Sequence, residues 1–270
     1  MSERNRHGLS RAMPSEVQRA VRQKCGFGCV VCGCAIYQYE HLDPTFADAT
    51  VHDPNGIVLL CAACHDRKTR GQLSQTSVAA AARSPKCLQT GFSFGPFDLG
   101  NTHPVVRFGP LVVRDCKVLI RAFGVSLLSV DPPESQGQPF LLSALFADRS
   151  GKEVCRIVRN EWQTPSANWD VEVVGQRITV RSAPRSIELR LRCDPPDGLT
   201  VERMAMYSAG AWLTCDEANG FVATLPIGTS LQASAAFVTG AEVALELTSQ
   251  AILLGVGGGS VRLGSAQIRL

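Results

Sequence analysis

Two Cys-x-x-Cys steps, Cys29-Val-Val-Cys32 and Cys61-Ala-Ala-Cys64, stand 28 residues apart in this chain. A short stretch that must bring four thiolates to the corners of a tetrahedron has few folds open to it. Thiolates are soft ligands that suit zinc, and a closed cage of four is structural. Gly26, Gly28 and Gly33 around the first step suit a chain that turns sharply. Disulfides and buried free thiols are the competing readings. The first residues are charged and polar, unlike a secretory signal. No apolar run approaches the ~20 residues that cross a bilayer. The expectation is a cytoplasmic chain without membrane contact, whose reduced cysteines favour metal over disulfide. Cys25 and Cys34 flank the first step at poorer spacing, while Cys87, Cys116, Cys155, Cys193 and Cys215 read as small buried hydrophobes.

Between the steps, residues 36–41 (Ile-Tyr-Gln-Tyr-Glu-His) read as a short strand, and residues 56–60 (Gly-Ile-Val-Leu-Leu) as an apolar second one. A polar loop with Asp43, Asp48, His52, Asp53 and Asn55 joins them. From His65 to Arg70 the pattern predicts a short basic helix stopped at Gly71. The order is strand, loop, strand, helix, pinned at both ends by the cysteine steps.

On these residues the segment resembles the HNH endonuclease family over about residues 10–75. The resemblance implies a ββα-metal fold that carries one divalent cation beside a general-base histidine. The acidic-residue-plus-histidine step matches Glu40-His41, the histidine directly after the second Cys-x-x-Cys matches His65, and the middle asparagine matches Asn55. By resemblance, His41 is the base, Glu40 and His65 hold a catalytic cation such as Mg2+ or Mn2+, and Asn55 orients His41 or the loop. Asn55 stands ten positions before His65 where many relatives have nine, and a bulge in the second strand would absorb the extra residue. The stretch from Arg11 to Cys29 is similar to a leader helix common in zinc-knuckle relatives. His52 is either a substrate or metal contact or a solvated loop residue; His7 and His103 have no supporting context.

The formal charge of +3 is unevenly spread. Residues 1–90 carry 11 Lys/Arg against 7 Asp/Glu, and the remainder 16 against 17. The basic bias therefore sits with the cysteine steps: an arm with Arg4, Arg6 and Arg11, a predicted helix starting near Pro14 with Arg19, Arg22 and Lys24, and Arg67, Lys68 and Arg70 after His65. Such residues bind phosphate without sequence preference. Arg67, Lys68 and Arg70 are the leading DNA-contact candidates. The alternative is a merely solvated surface.

Residues 76–90 read as a linker holding a short alanine-rich helix capped by Thr76 or Ser77. From residue 91 the chain reads all-β. Residues 187–193 alternate Ile, Leu, Leu and Cys with Glu, Arg and Arg; Trp169, Val171 and Val173 alternate with Asp170 and Glu172; and residues 268–270 close the chain. Asp148-Arg149-Ser150-Gly151 suits a hairpin turn. Many short strands suggest a sandwich or barrel, here taken as sandwich-like. Asn160-Glu161-Trp162 and Asn168-Trp169-Asp170 could rim a ligand site, but such tryptophans more often pack. The glycine-rich stretch 255–260 reads as a hairpin tip.

The expectation is an α+β chain of two domains: a zinc-knuckle ββα-metal (HNH) nuclease over 1–75 and an all-β accessory domain over 91–270. The latter would set target choice, regulation or a homo-oligomer. A bacterial or phage restriction or defence role follows by analogy. The alternative is a zinc-dependent nucleic-acid-binding or assembly protein that does not cleave.

Overall fold

The computed structural model describes residues 4–208 and 210–269. The chain is mostly strand with few helices, and it divides into two compact units: Met1–Gly95 with Gln163–Val173, and Pro96–Trp162 with Val174–Leu270. The segment Gln163–Val173 clusters with the first unit although it lies far along the β region in sequence.

In the first unit, α1 (Ser15–Cys25) opens after Pro14. It carries Glu16 in its first turn and Arg22 and Lys24 in its last, charges that complement the helix dipole. Gly26, in the left-handed region at φ 69°, closes it. Val21 and Cys25 are buried one turn apart, with Val17 half-buried beside them. β1 (Gln38–His41) and β2 (Ile57–Leu60) pair antiparallel, from Gln38 opposite Leu60 to His41 opposite Ile57. All four β2 residues are buried, and they form the centre of a core with Val21, Val30, Leu42 and Val78. This register has no bulge, and a 3₁₀ turn at Pro54–Gly56 leads into β2. Then come α2 (Ala62–Thr69), α3 (Gln75–Arg83) and α4 (Lys86–Thr90). Helix α2 starts three residues before His65 because the Cys61 sulfur caps it, accepting from the Cys64 N–H at 3.4 Å. The cap of α3 is Ser74, earlier than expected, through the Ser77 N–H at 3.0 Å.

Much of the basic surface expected on α1 is spent inside the unit. Arg22 is buried, and its fork meets Asp170 with Nε and Nη2 each 2.8 Å from a carboxylate oxygen. Its Nη1 donates to the Tyr39 hydroxyl at 3.0 Å and to Glu172 at 3.4 Å. Asp170, on the polar side of its alternating stretch, is thus buried. Arg19 stacks over the Trp169 ring at 5.0 Å, so the tryptophan is a packing residue rather than a rim. Lys24 closes the 3₁₀ turn by donating to the carbonyls of Pro54, Asn55 and Ile57.

The second unit is built from two sheets. One runs in the order Ile252–Val256, Val243–Leu247, Val118–Ala122, Val125–Asp131, Leu141–Ala147, Glu153–Val158. The Asp148–Gly151 turn joins its last two strands, and the Asp148 carboxylate accepts from the Ser150 and Lys152 N–H groups. In the other, Arg177–Ala183 and Ser186–Asp194 lead into Gly198–Ser208, Ala211–Asp216, Gly220–Thr224, Ser230–Thr239, Leu111–Arg114 and Val105–Phe108. Val105–Phe108 also pairs in parallel with Gly198–Ser208. Those six strands, from Gly198–Ser208 round to Val105–Phe108, therefore close on themselves. The ring is filled rather than hollow: Phe108, Leu199, Met206, Leu213, Phe221 and Val238 are all buried. Phe108 and Phe221 stand 5.8 Å apart between ring centres.

Trp162 is buried against Phe97, and the Asn160 amide is used up by Phe140 O and Leu142 N–H. The glycine-rich stretch is not a hairpin tip. Ile252–Val256 pairs with Val243–Leu247 while Ser260–Arg269 pairs with Ser230–Thr239, so the turn passes the chain from one sheet to the other. Leu270 lies outside the described residues. Among the described residues, no helix is long and apolar enough to cross a membrane.

Candidate functional site

The first cysteine step sits on the turn after α1. Cys29 N–H donates to Cys34 O and Gly33 N–H to Cys29 O, each at 2.8 Å, which folds the step back on itself. Gly28 is required there, since a Cβ would lie 2.7 Å from Gly33 O and 2.8 Å from the Cys87 sulfur. The second step is the capped start of α2. Together they bring the sulfurs of Cys29, Cys32, Cys61 and Cys64 within 4.8 Å of one another, with Cys32 and Cys61 at 3.6 Å. Ligands at ~2.3 Å on tetrahedral corners stand about 3.8 Å apart, so the four can hold a metal such as zinc.

Hydrogen bonds from Cys32, and from backbone groups of Cys61, Cys32 and Val31, hold the Cys29 pKa down to about 5 despite its burial. Burial and the nearby Cys29 push Cys64 up to about 12. Zinc binding would require the four thiols to shed their protons. Cys25 and Cys34 stand outside the cluster, and the other cysteines are buried free thiols.

Along β1, successive side chains face opposite ways. Glu40 points to α2. Its Oε2 is 3.1 Å from His65 Nε2, and its Oε1 accepts from Lys68 Nζ at 2.6 Å. Two donors of one divalent cation, at ~2.1 Å each on adjacent octahedral corners, stand roughly 3 Å apart. Glu40 and His65 match that spacing, but they are two ligands only, and Lys68 holds the second carboxylate oxygen.

His41 lies on the other face, with Tyr39. It lines a cleft of about 280 Å³ with Arg11, Ala12, Met13, Gln18, Tyr39 and Phe46. Burial first, and then the His52 ring, push its pKa below the ordinary histidine value. His52 Nδ1 is 3.1 Å from His41 Nε2, and His52 Nε2 is 2.9 Å from Ser10 O.

Asn55 is not brought to His41. It is exposed in the 3₁₀ turn, its N–H bonded to Asp53 and its carbonyl to Lys24, and its amide makes no bond to the histidine. Of the basic residues that follow His65, Arg70 is paired with Asp66 at 2.8 Å and Lys68 with Glu40. Arg67 is exposed and has no ion pair among the described residues. The basic arm is likewise engaged: Arg6 pairs with Asp48, and Arg11 lies 4.4 Å over the Phe46 ring. No family model, curated protein or solved structure matches the chain.

Proposed function

We propose that the first unit is a metal-dependent endonuclease of the HNH type that hydrolyses DNA phosphodiester bonds. The observation that carries this reading is the meeting of Glu40 and His65 at 3.1 Å, 25 residues apart in sequence, with His41 the next residue along β1 on its other face. The Cys29, Cys32, Cys61 and Cys64 cage, holding zinc, fixes both ends of this arrangement. His41 takes a proton from water as the oxygen attacks phosphorus, and the bond to the leaving sugar oxygen breaks. Its lowered pKa keeps the ring neutral and basic near pH 7. Bound at Glu40 and His65, a hard cation such as Mg2+ or Mn2+ would stabilise charge developing on the phosphate and the leaving oxygen. Arg67 is the side chain best placed to meet phosphate from the surface.

A second reading has a specific observation behind it. Lys68 already neutralises Glu40 at 2.6 Å, which suits a zinc-dependent nucleic-acid-binding protein that no longer cleaves. The same experiment separates the two. Supercoiled plasmid and a defined single strand are incubated with the full chain and Mg2+, Mn2+ or no added metal. Nicking by the wild type that disappears in His41→Ala, with zinc content and circular dichroism unchanged, supports the nuclease. Retarded DNA without product under every metal supports the binder.

A further inference from the structure

We infer that His52 is the positioning residue for His41, a role it performs through its ring tautomer and that Asn55 does not fill. Ser10 O can only accept, so His52 Nε2, 2.9 Å away, carries a proton. In the neutral pair His52 Nδ1 is then an acceptor. His41 Nε2, at 3.1 Å, must supply the hydrogen of that bond. The proton on His41 is thereby fixed at Nε2, and its Nδ1 keeps the lone pair. This orders a base in the way a carboxylate orders the histidine of a hydrolytic triad.

The chain anchors His52 for this task. Ser10 lies in the N-terminal arm, and that arm is stitched to the loop between β1 and β2. The Asn5 amide donates to Phe46 O at 2.5 Å and to Ala49 O at 2.7 Å, while Arg6 pairs with Asp48. Arg11 covers the Phe46 ring, whose centre is 5.3 Å from that of His41. His52 is half-buried and both its ring nitrogens are engaged, unlike a solvated loop histidine.

The kinetic half of this inference rests on the nuclease reading; the tautomer half does not. Wild type, His52→Ala and His52→Gln are compared as full chains, labelled with 15N in the histidine rings. In the wild type, His41 should show a protonated Nε2 and a bare Nδ1. In His52→Ala it should show a mixture of tautomers. On plasmid DNA with Mn2+, His52→Ala should lower kcat by ~10–100-fold with KM within about threefold. Added imidazole or the Gln side chain should recover part of the loss. Wild-type kcat in His52→Ala overturns the inference. So does a loss that neither imidazole nor Gln repairs, which marks a structural role, or His41 protonated at Nδ1 in the wild type. A wild type that cuts no substrate, yet has the stated tautomer and loses it in His52→Ala, refutes the nuclease reading and leaves the positioning contact standing.

Discussion

The two units reach stability by opposite means. The second closes six strands into a ring around phenylalanine, leucine and methionine side chains. The first packs a pair of four-residue strands, β1 and β2, and short helices around a small core. It adds fastenings that are polar or ionic: four clustered thiols, the Arg22–Asp170 fork, Lys24 on three carbonyls, and an arm tied to a loop. A small core gives few kcal/mol, so such units need staples. The fastened unit is also where every candidate reacting group sits. Rigid polar fixings hold charged side chains where an apolar ring cannot.

The largest test of this contrast is removal of the metal cage. Cys64→Ser, or a strong chelator, should unfold the first unit, since structural zinc contributes on the order of 10 kcal/mol to small domains. The strands of the second should persist. Limited proteolysis should then cut within 4–95 and spare the ring; loss of both units in one transition would break the distinction.

Next come single core substitutions of unlike kind. Arg22→Ala takes the two-pronged partner from the buried Asp170 carboxylate, leaving Arg19 at 4.0 Å, and should cost ~3–5 kcal/mol, whereas Arg22→Met with Asp170→Leu should recover most of it. Phe108→Ala in the ring should cost about 3–5 kcal/mol by leaving a cavity. Urea unfolding reads both. If the double variant at 22 and 170 is as unstable as the single, the fork is not the fastening described.

The pH dependence sharpens the comparison further. His41 has a lower pKa folded than unfolded, so its contribution to stability is present above pH 6.5 and is lost as the pH falls through the folded value. The neutral base likewise persists below pH 6.5, and the acid limb of kcat/KM should lie below that value. An acid limb above it removes His41 from the role of base. The cysteine cage should release metal as the pH falls, because protons compete for thiolates, and a zinc-sensitive dye titrated from neutral to acid pH reads this directly.

The smallest effects concern the surface. Arg67→Ala should weaken DNA binding alike on all sequences and reduce the salt slope by about one counterion. Arg70→Ala should change stability by no more than ~0.5 kcal/mol, as expected for an exposed i,i+4 pair with Asp66. Equal losses of affinity at Arg67, Lys68 and Arg70 would show that their ion pairs open on DNA.

What the sequence by itself determined is local: the sharp turns and thiol pairs of the two Cys-x-x-Cys steps, the apolar run of β2, and several of the short alternating strands of the β region. These follow from neighbouring residues, whose periodicity and turn chemistry act over a few positions. Only the tertiary structure decided which charges face water. Arg22 looks like a phosphate-binding residue until Asp170, 148 positions away, buries it. Lys68 looks free until Glu40 takes it. Closure of the ring was equally hidden, because it depends on two parallel pairings between strands far apart in sequence, at Val105 with Gly198 and at Leu111 with Ala236. His52 gives the same lesson at the candidate site. A loop histidine carries no periodic signal, and its role comes from the two atoms that the fold sets on either side of its ring: His41 Nε2 and the carbonyl oxygen of Ser10.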